Sequence, residues 1–425
     1  MRAPLTSDLP EPLARAARSV ASTLGAAGYR AWVVGGAVRD LVLGRAVHDA
    51  DLVSAAHPEV VTRLFPRTVQ VGAAFGIVVV VLDDGVEVEV ATFREEREYA
   101  DGRRPDVVRY TDDLAADAAR RDFTCNALYL DPLDDTVLDP TGGLADLAAG
   151  RLAAVGDAAQ RFREDGLRLL RMARFEAALG LAPAPGLHAA AHGALHALRG
   201  VSPERVLDEL SKILRGPRAG VACRALDGCG IADAAVPGYT TEDGALRAAR
   251  LAVLDGHGRC PGPDGGVAQG LAALLDGGGA SEEPLRGHLE ALRASRLCLQ
   301  ATLETARLAR GMADLAAASA RPSARLRALR SPWFDAALDL ALRRASVWGA
   351  GVEPLRGLQA WRASDAARDP CPTPWLTSAD LRAAGVVPGP CFGALLTEAE
   401  DLQLDGALCD RAAALAWLTR RVSAG

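Results

Sequence analysis

Apolar and polar positions along this chain follow two periods. Ala31-Trp32-Val33-Val34 is a short apolar run that predicts a buried strand. Gly35-Gly36 ends it, and residues 37–43 have the composition of a helix. In Val86-Glu87-Val88-Glu89-Val90 apolar and acidic residues alternate, the period of a strand with one buried face. The first 24 residues read as a polar start leading into a helix over residues 11–24. Beyond Asp146 the chain turns to long Ala/Leu/Arg stretches of helical composition, with Gly/Pro breaks at residues 261–266 and 276–279 that read as surface loops. No repeat of fixed period stands out. The pattern predicts an α+β chain, with a mixed α/β N-terminal region followed by helical domains.

The first run carries candidate chemistry. Gly35-Gly36 lets the backbone turn tightly and approach a ligand. The following helix would present its first N–H groups to an anion such as phosphate. Arg39 adds a guanidinium that can fork onto phosphate oxygens. Asp49 and Asp51 flank Ala50 just before Leu52-Val53; on a strand, i and i+2 share a face. Two adjacent carboxylates repel unless a cation lies between them, and Mg²⁺ suits that place because it takes oxygen ligands and keeps substrate phosphate in its shell. Asp49 and Asp51 are therefore the candidate metal ligands and catalytic acids. Glu87 or Glu89 is the source of a third carboxylate, and Glu89 is preferred. A lone Asp-x-Asp is commonly a solvated surface feature; joined at this spacing to Gly-Gly and Arg39-Asp40, it reads as a site.

A second pair concerns base choice. Asp165 and Arg168, three apart in a helical run, are expected on one helix face. Cytosine and adenine each present an amino donor beside a ring-nitrogen acceptor. An aspartate accepts from the first and an arginine donates to the second. Guanine and uracil present the reverse and would leave both side chains unpaired. Taken alone, such a pair is usually an ordinary salt-bridged helix face; beside the acidic pair it reads as a site.

Gly35-Gly36-Ala37-Val38-Arg39-Asp40 followed by Asp49-Ala50-Asp51 resembles the head signature of class II tRNA nucleotidyltransferases and bacterial poly(A) polymerases. Four further blocks follow in that family's order. Arg120-Arg121-Asp122-Phe123-Thr124-Cys125-Asn126-Ala127 is similar to its second motif, and Asp139-Pro140-Thr141-Gly142-Gly143 to its head–neck hinge. The run from Glu164-Asp165-Gly166 to Arg174-Phe175 is similar to its base-reading helix, and Ser202-Pro203-Glu204-Arg205 to its fifth motif. A weaker likeness returns at Pro388-Gly389-Pro390 and Gln403-Leu404.

The resemblance implies a nucleotidyltransferase head followed by all-helical neck, body and tail. The expected bounds are an N-terminal extension at 1–24, head 25–145, neck 146–215, body 216–345 and tail 346–425, with a linker at 369–374 inside the tail. It implies that Gly35, Gly36, Arg39, Arg121, Asp122, Asn126, Asp165, Arg168, Arg171 and Arg174 bind nucleotide. Arg171 and Arg174 would hold triphosphate and Asn126 would sense a ribose hydroxyl. Leu167, Leu170, Phe175, Phe123, Cys125 and Ala127 are read as packing. Body and tail would grip the tRNA.

Within the family, residues 92–106 read as a charged, mobile loop broken by Gly and Pro. A loop at that place is what the family needs to switch from C to A, and CC-adding enzymes lack it. Residues 65–76 are more similar to tRNA enzymes than to poly(A) polymerases, which usually carry basic residues there. Addition of CCA to the tRNA 3′ end from CTP and ATP is therefore the preferred expectation. The alternatives are an A-adding enzyme, a poly(A) polymerase, or a non-catalytic tRNA-binding protein on the same scaffold.

Composition changes this picture little. At 425 residues the chain holds several domains, and 49% hydrophobic with 4% aromatic residues means aliphatic cores. The net charge of −6 is unlike a typical nucleic-acid binder. A local patch is then required, and Arg151, Arg161, Arg163, Arg168, Arg171 and Arg174 make the neck a candidate. Eight cysteines lack any Cys-x-x-Cys pair, which argues against zinc and fits free thiols in a reducing cytoplasm. No secretory signal and no membrane span are expected. His48-Asp49 superficially suggests a metal-dependent phosphohydrolase, but no second His-Asp set accompanies it.

Overall fold

The computed structural model describes residues 5–70, 76–97, 107–236, 238–239, 244–255, 264, 266–276, 281–367 and 369–423. It divides into two compact units. One comprises Met1–Ile213 with Val221–Pro237; the other comprises Leu214–Gly220 with Gly238–Gly425.

The first unit opens with helix α1 (Glu11–Ala26), whose Ala16, Ala17, Val20, Ala21 and Leu24 are buried. Strand β1 (Ala31–Val34) and helix α2 (Gly36–Val42) follow, joined at Gly35, whose φ of 73° lies in the region that favours glycine. Next come β2 (Leu52–Ser54), α3 (Pro58–Leu64), β3 (Thr68–Gln70), β4 (Ile77–Val81) and β5 (Glu87–Thr92). A hairpin of β6 (Arg94–Arg97) and β7 (Val107–Tyr110) leads to α4 (Leu114–Ala119). Short strands β8 (Tyr129–Leu130) and β9 (Val137–Leu138) complete a seven-stranded sheet of order β3-β4-β5-β2-β1-β8-β9. β2 is central: it runs antiparallel to β1 and parallel to β5. Val33, Leu52, Val78, Val80, Val88 and Val90 are buried, while Glu87 and Glu89 on the same strand as Val88 face solvent. That is the alternation expected of residues 86–90.

The hairpin corrects one expectation. Residues 94–97 are strand rather than loop, paired from Arg94↔Tyr110 to Arg97↔Val107. The partner run Val107-Val108-Arg109-Tyr110 has strand composition, and pairing to it overrides the local charge that suggested a loop. Residues 98–106, where the rest of the expected loop falls, lie outside the described residues.

After the sheet the unit becomes mostly helical: α5 (Gly143–Ala148), α6 (Ala158–Glu164), α7 (Leu167–Leu179), α8 (Leu187–Gly193) and α9 (Pro203–Arg215). The neck is not all-helical as expected, because Arg151–Leu152 and Ala182–Pro183 pair as two short parallel strands. In the second unit every element is a helix, the longest spanning Arg296–Ala316. Residues from 375 onward have their own core of Leu376, Leu381, Ala399, Leu408, Ala414 and Leu418. The 369–374 segment carries no regular structure, and Gln403 ties its end down by donating to the Thr373 carbonyl and accepting from the Trp375 N–H. The glycine-rich breaks of the body fall largely outside the described residues. No helix among those residues is long and apolar enough to cross a membrane, and the seven described cysteines are free.

Candidate active site

The acidic pair sits at the entrance of the central strand. β2 begins at Leu52, one residue after Asp51, but its ladder reaches further: the Val34 N–H donates to the Asp51 carbonyl at 3.0 Å. Ala50 is buried between exposed Asp49 and Asp51, so the strand alternation places both carboxylates outward. Continuing the β2–β5 register from Leu52↔Val90 by one step sets Asp51 beside Glu89. The electrostatics agree. Partial desolvation, then Glu89 and Asp49, push the Asp51 pKa up to about 6, against the pull of Arg121. The preference for Glu89 over Glu87 thus has a physical basis.

Such a crowded, solvent-accessible acidic pair fits a divalent cation, which would relieve the repulsion. Among the described residues no three His, Cys, Asp or Glu converge to enclose an ion. A cation at Asp49 and Asp51 would therefore complete its shell with substrate oxygens and water, the usual habit of Mg²⁺.

A continuous set of hydrogen bonds runs from the glycine turn to α7. Arg39 grips Asp40 through Nε (2.9 Å) and Nη2 (2.8 Å), and its Nη1 donates to Asn126 Oδ1 at 2.7 Å. Asn126 Nδ2 donates to Asp122 Oδ1 at 3.1 Å, and Asp122 Oδ2 accepts from Arg171 Nε at 2.7 Å. Burial opposes ionisation of Asp122, but Arg171, Asn126 and the Phe123 N–H hold its pKa below the usual carboxylate range. Burial likewise opposes the Arg171 charge, and Asp122, Glu209 and Asp165 outweigh it. Four of the expected nucleotide residues, Arg39, Asn126, Asp122 and Arg171, are thereby one network.

Arg121 is organised by a residue that the sequence did not single out. Asp117, fully buried at 0% exposure, accepts from Arg121 Nε and Nη2, from Arg120 and from the Tyr129 hydroxyl. Burial works against its charge, yet Arg121 and Arg120 keep its pKa low. With Nε and Nη2 so engaged, Nη1 is the end nearest the Gly35 turn; a Cβ built on Gly35 would lie 3.8 Å from it. Cys125 is buried and its thiol pKa is pushed up to about 12, chiefly by desolvation, as its reading as packing requires.

The base-reading pair is where expectation and structure part. Asp165 and Arg168 do not share a helix face, because α6 ends at Glu164 and α7 starts at Leu167. Asp165 is extended between them (φ −145°, ψ 106°), and its Oδ1 accepts from the Leu167 N–H at 3.0 Å. Gly166 is itself helical (φ −58°, ψ −21°) and passes so close to the Ala197 carbonyl that a Cβ would overlap it. No ion pair joins the two. Asp165 Oδ2 accepts from Arg205 Nη2 at 2.8 Å. Arg168 is buried and donates to Glu164 (2.7 Å) and to the Arg120 carbonyl (2.8 Å). Arg205, from the fifth block, was not expected here; its separation of 40 residues from Asp165 hid the contact.

Arg171 and Arg174 continue one row along α7. Arg174 donates through Nε to buried Glu209 at 2.5 Å, and both guanidiniums, with that of Arg39, stand within 5.4 Å of the Phe175 ring centroid. Leu170 and Phe175 are buried as expected, whereas Leu167 is only half-buried. Of the six neck arginines, Arg151, Arg161, Arg168, Arg171 and Arg174 pair with Asp146, Glu164, Glu164, Asp122 and Glu209, while Arg163 is exposed and donates to the Ala159 carbonyl, so most of the expected patch is paired internally.

Comparison with known proteins bears on this site directly. Residues 31–153 match the family described as Poly A polymerase head domain, and residues 180–242 match the probable RNA and SrmB-binding site of polymerase A. The first of these contains the glycine turn, the acidic pair, Glu89 and the Asp117–Asn126 network.

Over residues 31–153 the chain is similar to the poly(A) polymerase head-domain family.

Similar proteins include the CCA-adding enzyme of Levilactobacillus brevis, 45% identical over 200 residues, covering 47% of this chain and 50% of that protein. The CCA-adding enzyme of Geobacillus kaustophilus is 42% identical over 222 residues, covering 52% and 54%. The chain thus spans about half the length of the curated relatives it matches. A crystal structure of the Bacillus stearothermophilus CCA-adding enzyme in complex with CTP superposes over 98% of this chain and 99% of that one, with a TM-score of 0.75 and 29% identity. The family fold of α/β head followed by helices therefore extends through the chain.

Proposed function

We propose that this chain adds C, C and A to the 3′ end of tRNA from CTP and ATP, without a nucleic-acid template and with release of pyrophosphate. The observation that carries the reading is the acidic pair at the mouth of the central strand, beside Glu89 and Arg121. The relatives' printed activity, CCA addition, supports the same reaction.

Asp49 and Asp51 would hold Mg²⁺, which, when bound, makes a hydroxyl more nucleophilic and neutralises charge on phosphate. The tRNA 3′-oxygen forms a bond to the α-phosphorus, the bond from that phosphorus to the α–β bridging oxygen breaks, pyrophosphate leaves with that oxygen, and the hydroxyl proton passes to water. Gly35 and Gly36 admit the phosphates close to the backbone. Arg39, Arg121, Arg171 and Arg174 offer the N–H donors that their carboxylate partners leave over, since each guanidinium carries five. Asn126, fixed at both ends of its amide by Arg39 and Asp122, is the residue we assign to the ribose.

Asp165 is assigned to the base amino group. Its two oxygens accept from Leu167 and Arg205 and retain further lone pairs. Arg168, in the first turn of α7, is assigned to the ring nitrogen. We place the head at residues 25–145, the neck at 146–215, the body at 216–345 and the tail at 346–425, with the N-terminal 24 residues as an extension. Residues 98–106 are assigned to the switch from C to A, and the cytoplasm is the compartment the reading requires.

Pyrophosphate release from CTP and ATP, measured with a tRNA transcript and Mg²⁺, tests the reading. Asp49→Ala should abolish release with both nucleotides and leave tRNA binding close to wild type. Turnover retained by the variant would overturn the metal assignment. Nucleotide-independent tRNA binding with no release by the unaltered chain would instead favour the non-catalytic alternative.

A further inference from the structure

We infer that Phe175 is a positioning residue for the triphosphate: its buried ring gathers Arg39, Arg171 and Arg174 into one anion-binding cluster. The inference deepens the nucleotidyl-transfer reading above and rests on it. The guanidinium carbons lie 5.4, 5.2 and 4.2 Å from the ring centroid for Arg39, Arg171 and Arg174. The ring is 5% exposed, and Phe123 meets it edge-on at 5.6 Å and 75°.

Three features separate this from ordinary packing. The arginines come from two elements, Arg39 from α2 and the others from α7, and they converge on one ring. Their carboxylate partners are all different, namely Asp40, Asp122 and Glu209, so the ring is a neighbour that all three share. Third, a ring face attracts cations without carrying net charge. It offsets the mutual repulsion of three guanidiniums yet does not compete with phosphate as another carboxylate would. Arg174 spends only its Nε–H on Glu209, which leaves its other donors for a ligand. A leucine would fill much of the same space and supply none of this.

The test uses the full chain with Phe175 replaced by mono-, di- and trifluorinated phenylalanine, and separately Phe175→Leu. Fluorine withdraws electron density from the ring face in steps and changes its shape little. The readouts are dissociation constants for CTP and for ATP without RNA, and the thermal midpoint of each variant. We expect the constants to rise with each fluorine, reaching about tenfold for the trifluoro ring. The rise should be equal for CTP and ATP, with the midpoint near wild type. Constants unchanged across the series, or a rise only where the midpoint falls in step, would overturn the inference. The fluorinated series decides the matter even if Phe175→Leu fails to fold. Incorporation by the unaltered chain is measured alongside. Its absence would fail the nucleotidyl-transfer reading itself, while its presence with a flat series would fail the role of Phe175 alone.

Discussion

Asp117 shows how a fully buried carboxylate can orient a guanidinium at a candidate site. Its carboxylate takes two guanidiniums and a phenol hydroxyl in a fully buried position. Asp117→Asn would remove the charge that Asp117 sets against Arg121 and Arg120, and breaking such a buried pair typically costs about 3–5 kcal/mol. The expected outcome is a lowered thermal midpoint together with a fall in kcat/KM of roughly 10–100-fold, as Arg121 loses its aim at the glycine turn. Wild-type kinetics in a destabilised variant would mean that Arg121 does not act on substrate. Tyr129→Phe removes the hydrogen bond its hydroxyl donates to Asp117 and the one it accepts from Arg121 Nε, so its cost should be about 1–3 kcal/mol, with a smaller fall in rate than Asp117→Asn. Chemical denaturation of the three proteins side by side checks both figures.

At the scale of elements, the junction between α6 and α7 matters most. Gly166 closes against the Ala197 carbonyl, next to Asp165, which lies outside either helix. Gly166→Ala should destabilise the fold by about 1–3 kcal/mol, the usual cost of overpacking, and should displace Asp165. The expected kinetic sign is weaker discrimination of C and A against U and G, measured with all four nucleotides. Unchanged discrimination at lowered stability would separate the junction from base choice. The same junction marks where reading the chain stops. Strand β1, helix α2 and the alternation of β5 were legible because each is a local pattern over a few residues. The acidic pair was legible because its spacing is itself the geometry. The helix break at Asp165-Gly166 was not, since the run around it is rich in helix formers and Ala197 is 31 residues further on. Asp117, Arg205 and the clustering of arginines at Phe175 were hidden for the same reason. Each acquires its meaning from a partner that only the fold brings near, and residues 94–97 became strand through pairing with 107–110.

For the whole molecule, the charge balance now has a structural account. A net −6 coexists with an arginine-rich neck because most of those arginines pair internally with carboxylates. By our reading they shape the site, and the RNA grip falls to the helical domains that follow. Helices Pro322–Leu329 and Pro390–Leu404 are joined there by Arg327 to Glu400 and Asp401, and by Arg330 to Glu400. Charge reversal at Glu400 should loosen that joint and weaken tRNA binding while leaving CTP binding unchanged; nucleotide titration with and without tRNA checks the split. The central claim is that one site adds C twice and A once. Incorporation into three tRNA transcripts, ending before CCA, after C-C, or complete, each given CTP alone, ATP alone or both, tests it most directly. The account predicts that the shortest transcript grows by two C with CTP alone and by C-C-A with both nucleotides, that the C-C transcript gains one A, and that the complete transcript gains nothing. Addition only to the C-C end, or long A tails on any transcript, would contradict it.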